Sequence, residues 1–154
     1  TQFNVKSYPD DNNVSATLVE GKVEVDKEMA NRKYDQVAKL LPDQHLIYHK
    51  NSNSSKILRG NVKKYTAWKD GLMIFDNTPI SEIAKELSLK FNGDIILDDE
   101  IKDLTYTTTF SDDSLYLILD LMEQITPITY KKLPRKKQPD GLYSKQKILI
   151  QKQK

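Results

Sequence analysis

Between residues 3 and 66 apolar and polar positions alternate in short runs broken by turn residues: Ser15-Ala16-Thr17-Leu18-Val19-Glu20, then Gly21, then Lys22-Val23-Glu24-Val25. A two-residue period puts successive side chains on opposite faces of a pleated strand, so this half reads as antiparallel β. Two more strands are predicted at 37–41 and 46–48, joined by a turn at Pro42-Asp43-Gln44, and Asn51-Ser52-Asn53-Ser54-Ser55 reads as a polar loop. No helix is expected before Trp68.

After Trp68 the period changes. Gly71-Leu72-Met73-Ile74-Phe75 is a short apolar strand, and Asn77-Thr78-Pro79 predicts a helix start, with Pro79 at the first helical position where its missing N–H is harmless. Ile80, Ile83, Ala84, Leu87 and Phe91 form one stripe at helical spacing, and Asn92-Gly93 supplies a left-handed stop. Ile95-Ile96-Leu97 reads as a buried strand, Asp98-Asp99-Glu100 as a turn, and 104–110 as a strand rich in Thr and aromatic residues. Ser111 is the expected cap of a second helix, with Asp112 and Asp113 in its first turn and an inner stripe of Leu115, Ile118, Leu119, Met122 and Ile125. Strands at 128–132 and 147–151 follow, separated by a long basic loop. The expected fold class is α+β: an all-β segment resembling part of a β-sandwich or jelly roll, then a split β-α-β-β-α-β-β module with two helices on one face of a small sheet. Domain boundaries are expected at 1–66 and 67–154.

Length and composition narrow the function. The 154 residues, 38% hydrophobic and 30% charged, suffice for one domain or two small modules and exclude a large multi-layer enzyme. No apolar run approaches membrane-spanning length. With no Cys there are no disulfides, zinc fingers or Cys nucleophiles. Residues 131–154 carry nine Lys/Arg against the single acid Asp140, a net +8, while the rest of the chain is −6. Where a nucleic-acid binder would want several stacking aromatics or a recognition helix among its bases, that tail offers Tyr143 and a predicted strand at 147–150, and it reads as a solvated edge hairpin, so no nucleic-acid partner is expected.

His45 and His49 have the spacing of a metal pair on a helix, but on a strand four residues span ~13 Å, so they read as two surface histidines. Asp98, Asp99, Glu100 and Asp103 lack the Gly and closing Glu of a calcium loop and read as a solvated turn. No phosphate loop or nucleophile elbow is present, so no enzyme activity with turnover, no metal and no cofactor is expected. Trp68, the one Trp, reads as an aromatic anchor packing the two modules together.

The strings Phe3-Asn4-Val5 with Tyr8, Thr17-Leu18-Val19-Glu20-Gly21-Lys22-Val23 and Leu41-Pro42-Asp43-Gln44 resemble the second half of the FecR-type anti-sigma regulator domain. Tyr65-Thr66-Ala67-Trp68-Lys69-Asp70-Gly71 with Phe75, Asn77 and Pro79 is the most specific string. In that family it introduces a module similar to the short N-terminal domain of secretins and TonB-dependent receptors. Phe110-Ser111-Asp112, Ile128-Thr129-Tyr130 and Ile148-Leu149-Ile150 extend the likeness over nearly the whole chain. The basic stretch 131–144 is longer than the family leads one to expect.

The resemblance implies a periplasmic part of a single-pass inner-membrane anti-sigma factor. It would receive a signal from the signalling domain of a TonB-dependent outer-membrane receptor, after which proteases free an extracytoplasmic-function sigma factor. The sigma factor would be met only through a cytoplasmic segment outside this chain, and the other half of the FecR domain would be a further partner. The alternative is the N-terminal signalling domain of such a receptor itself, which shares the split layout but not the 65–71 string. The receptor is expected to pair with an edge strand around Tyr130, Lys147, Ile148 and Ile150. The resemblance also implies a self-cleavage role for Thr1, whose hydroxyl would attack the preceding carbonyl in an N-to-O acyl shift that hydrolysis completes.

Overall fold

A computed structural model describes residues 1–9 and 11–154. The chain divides into two compact units, Thr1–Asp70 and Gly71–Lys154.

In the first unit, β1 (Gln2–Ser7), β2 (Asn13–Glu20), β5 (Gln44–His49) and β6 (Ser54–Arg59) form an antiparallel sheet in the order β1-β2-β5-β6, with the hairpin of β3 (Val23–Glu28) and β4 (Tyr34–Leu40) as a second, two-stranded sheet. Ala16 and Leu18 of β2 and Leu46 of β5 pack with Ala38 and Leu40 of β4 as the core. Ala16, Thr17 and Leu18 are consecutive and all buried, so β2 is covered on both faces. The Leu-Pro-Asp-Gln string earns its residues: Asp43 takes a positive φ of 62°, its amide donates to the Leu18 carbonyl, and the buried Gln44 side chain accepts the Leu41 amide at 2.9 Å. Two elements differ from expectation. The polar run after Asn51 leads directly into β6, because an edge strand pairs through its backbone whatever its side chains. A one-turn helix α1 (Lys63–Thr66) and a 3-10 turn (Ala67–Asp70) precede the second unit, where no helix was expected.

The second unit follows the predicted order: β7 (Leu72–Pro79), α2 (Ile80–Phe91), β8 (Asp94–Leu97), β9 (Thr105–Ser111), α3 (Leu115–Ile125), β10 (Ile128–Leu133) and β11 (Lys147–Lys152). β7 pairs with β9, and a second sheet runs β10-β11-β8 with β8 parallel to β11. Ile80, Ile83 and Leu87 of α2 and Ile118, Leu119 and Met122 of α3 are buried with Phe75, Tyr106, Phe110, Ile128, Ile148 and Ile150 in one core.

The helix ends are displaced from their sequence signals. Pro79 stays paired with Thr105 and becomes the residue before α2, the Ile80 amide being met by the Leu104 carbonyl at 2.7 Å. Asn92 supplies the left-handed stop at φ 50°. Ser114, not Ser111, caps α3 through the Leu117 amide. Asp112 and Asp113 lie outside the helix: Asp113 accepts the Ser111 amide at 2.9 Å, and Asp112 sits at φ 48° against Gly71. Gly71 sits at φ 73°, which strains any residue with a Cβ, and a Cβ there would also lie 2.6 Å from the Asp112 carboxylate and displace it; the Gly71 carbonyl accepts the Asp112 amide. Ile125 is exposed rather than inward, because α3 carries a second apolar line, Leu117, Leu121 and Ile125, that leaves the core. Ile96 is exposed too, so β8 is half-buried rather than buried.

Candidate docking edge and aromatic cluster

The strand around Ile148 and Ile150, expected at an edge, is the middle strand of its sheet. Both side chains are buried, and the Ile150 carbonyl accepts the Asp98 amide on the β8 side. A strand closed on both sides has no peptide groups to offer a partner. Lys147 lies on the same central strand, paired with Leu133 and Asp94. The sequence pattern could not order the strands, because β11 closes the chain yet inserts between two earlier ones.

Tyr130 fares differently. Just beyond β10 the Gln153 amide donates to the Pro127 carbonyl, which makes 127/153 a bonded pair. Antiparallel bonding alternates, so Thr129, Lys131 and Leu133 face β11 while the peptide groups of Tyr130 and Lys132 point away from it. This is the open edge of the sheet. Side chains stiffen it: the Tyr130 hydroxyl donates to Asp120 at 2.6 Å, and Lys132 lies 3.5 Å from the Tyr116 ring centroid. The bond to Asp120, with some desolvation and the neighbouring negative charge, pushes the Tyr130 phenol up to about 12, so it stays a donor at any cellular pH. On β8, at the other side of the sheet, the outward Ile95 amide is already taken by the Ser88 hydroxyl at 3.2 Å.

In the first unit, Trp68 belongs to a cluster built by the 65–71 string. Its indole N–H donates to Asn4 at 3.2 Å, and the same Asn4 amide donates to the Tyr65 carbonyl at 3.0 Å. The indole itself is 66% exposed. Tyr65 stacks flat on His45, ring centroids 3.6 Å apart, and His45 shares a 2.7 Å hydrogen bond with the buried Thr17 hydroxyl. His45 is therefore not a surface histidine: it is 5% exposed, and burial, with Lys64 and Lys6 adding repulsion, pushes its pKa down to about 4. Periodicity missed it because Tyr65, which covers this face of β2 and β5, comes from the unexpected helix α1. His49 bonds Asn13 at 2.6 Å instead.

Thr1 is exposed and lies over the left-handed Gly21, where a Cβ would meet its Oγ1 at 2.5 Å. Phe3 and Val5 of β1 are more than half exposed although their cross-strand partners Leu18 and Ala16 are buried, which leaves an apolar flank open. Asp98 caps the 99–101 turn through the Glu100 amide. Among the described residues no three His, Asp or Glu side chains gather to hold a metal, and no helix is long and apolar enough to cross a membrane.

The FecR C-terminal family model matches residues 72–138. Two solved structures of a provisionally assigned anti-sigma factor from Parabacteroides distasonis ATCC 8503, at 1.65 and 2.50 Å, are 26% and 25% identical to the chain, with TM-scores of 0.70 and 0.66. Each alignment covers 99% of this chain and 64% of the solved one, so the chain spans under two thirds of their length. No curated protein matches at a significant level. The match on the second unit and a likeness running through both units make the chain similar to the C-terminal region of FecR-type anti-sigma factors.

Proposed function

We propose that the chain is the periplasmic signal-receiving region of a transmembrane anti-sigma factor. The signalling domain of a TonB-dependent outer-membrane receptor adds a strand to the outer edge of β10, and proteolysis of the regulator then releases an extracytoplasmic-function sigma factor. The observation that carries this reading is the open β10 edge, with the Tyr130 and Lys132 peptide groups turned outward, inside a module that matches the FecR C-terminal family. Strand addition draws its affinity from backbone bonds and needs no preformed pocket. The alternative, a receptor's own signalling domain, leaves the first unit unexplained, whereas the anti-sigma likeness includes it. In the same reading the flank at Phe3 and Val5 is covered by the rest of the FecR domain in the longer protein. Self-cleavage before Thr1 belongs to this reading as well, and is tested by mass spectrometry of the full periplasmic region with and without Thr1→Ala: two fragments lost in the variant support it, an intact native chain refutes it.

The docking test is titration calorimetry with a purified receptor signalling domain. Lys132→Pro removes an outward amide and leaves the β10–β11 ladder its bonds, so binding should fall at least tenfold with the fold retained. Undiminished binding by a folded Lys132→Pro protein would refute β10 as the edge. Failure of the native chain to bind any receptor signalling domain from its own organism would refute the relay.

A further inference from the structure

The connection between β10 and β11 is a built hairpin. Lys137 bridges Tyr143, the Ser144 amide donates to the Lys136 carbonyl at 2.8 Å, and the Gln138 amide donates to the Leu142 carbonyl at 2.7 Å. Gly141, at φ 86°, closes the turn onto Gln138, and the Asp140 carboxylate takes the Leu142 amide. Arg135 braces the base through the Ser144 carbonyl at 2.7 Å. Every residue from 134 to 143 is exposed, so the hairpin stands off the body of the unit. Near its tip are Leu142, 66% exposed, and Tyr143, 58% exposed, and Lys136, Lys137, Lys145 and Lys147 surround its stem with exposed side chains.

Three partners could use such charge, and the apolar pair chooses among them. A nucleic acid takes the lysines but gains little from an aliphatic Leu142, since it stacks on aromatic faces. A protein partner needs ~1,200 Å² or more of interface, and a convex tip of two apolar residues offers far less. An anionic bilayer surface accepts both parts: its negative surface potential attracts each Lys, while a Leu and a Tyr fit the headgroup boundary with the phenol kept wet. We propose that the 135–144 hairpin is a peripheral membrane contact, its lysines on anionic phospholipid headgroups and Leu142 and Tyr143 entering the interface. This goes beyond the receptor relay and does not depend on it.

The test is co-sedimentation of the chain with vesicles of phosphatidylcholine alone or mixed with phosphatidylglycerol. Binding should require phosphatidylglycerol, weaken with salt, and fall roughly tenfold in Leu142→Ser/Tyr143→Ser. It should be lost in Lys136→Glu/Lys137→Glu, with unchanged thermal melting of both variants certifying the fold. Equal sedimentation with both lipid mixtures, an unaffected Leu142→Ser/Tyr143→Ser protein, or equally tight binding to duplex DNA would each overturn the proposal.

Discussion

Protonating His45 should loosen the first unit in a defined pH window. The imidazole is buried between Thr17 and Tyr65, with its pKa at about 4 against an ordinary 6.5. Between those values the folded protein binds fewer protons than the unfolded chain. Stability from this group is therefore complete above pH 6.5, declines as pH falls, and levels off below about 4. Linkage with these two values gives a loss of about 2 kcal/mol by pH 5 and about 3 kcal/mol by pH 4. Carboxylates titrate in the same range, so the informative quantity is the difference between native protein and His45→Gln, which cannot take the proton. Urea unfolding of both from about pH 7.5 to 4 measures it, and the imidazole ring protons followed by NMR give the titration directly. Parallel stability losses down to pH 5, or a His45 signal that titrates near 6.5, would refute the reasoning.

Other consequences are equally concrete. Leu87→Ala empties a fully buried site in the second core and should cost about 2–5 kcal/mol by chemical denaturation. Gly71→Ala forces a left-handed alanine against the Asp112 carboxylate, so a loss of at least about 1–2 kcal/mol is expected in the same assay. Asn4→Ala removes two hydrogen bonds that hold Tyr65 and Trp68, and fluorescence anisotropy of the single Trp should fall while the fold survives.

The second unit was legible because its signals were local and redundant. The stripe Ile80, Ile83, Ala84 and Leu87, and the inner residues Ile118, Leu119 and Met122, fixed both helices before any coordinate. The ends of the helices were less so. Pro79 and Ser111 each carry a strong start signal, yet Pro79 is held by strand pairing, and Asp112 spends its left-handed turn on Gly71 before α3 begins. Strand order was hidden because the parallel pairing of β11 with β8 joins residues some fifty positions apart. Tyr130 therefore lies where a partner can reach it, while Ile148 and Ile150 became core. The His45–Tyr65 stack was invisible for a related reason: alternation says which residues share a face, and not what will cover it.

The relay is tested most directly in cells, by a reporter of sigma-dependent transcription in a strain whose only copy of the regulator carries Lys132→Pro. The account predicts that the variant accumulates normally, yet transcription no longer responds when the receptor binds its nutrient. An unaltered nutrient response from that strain would contradict it.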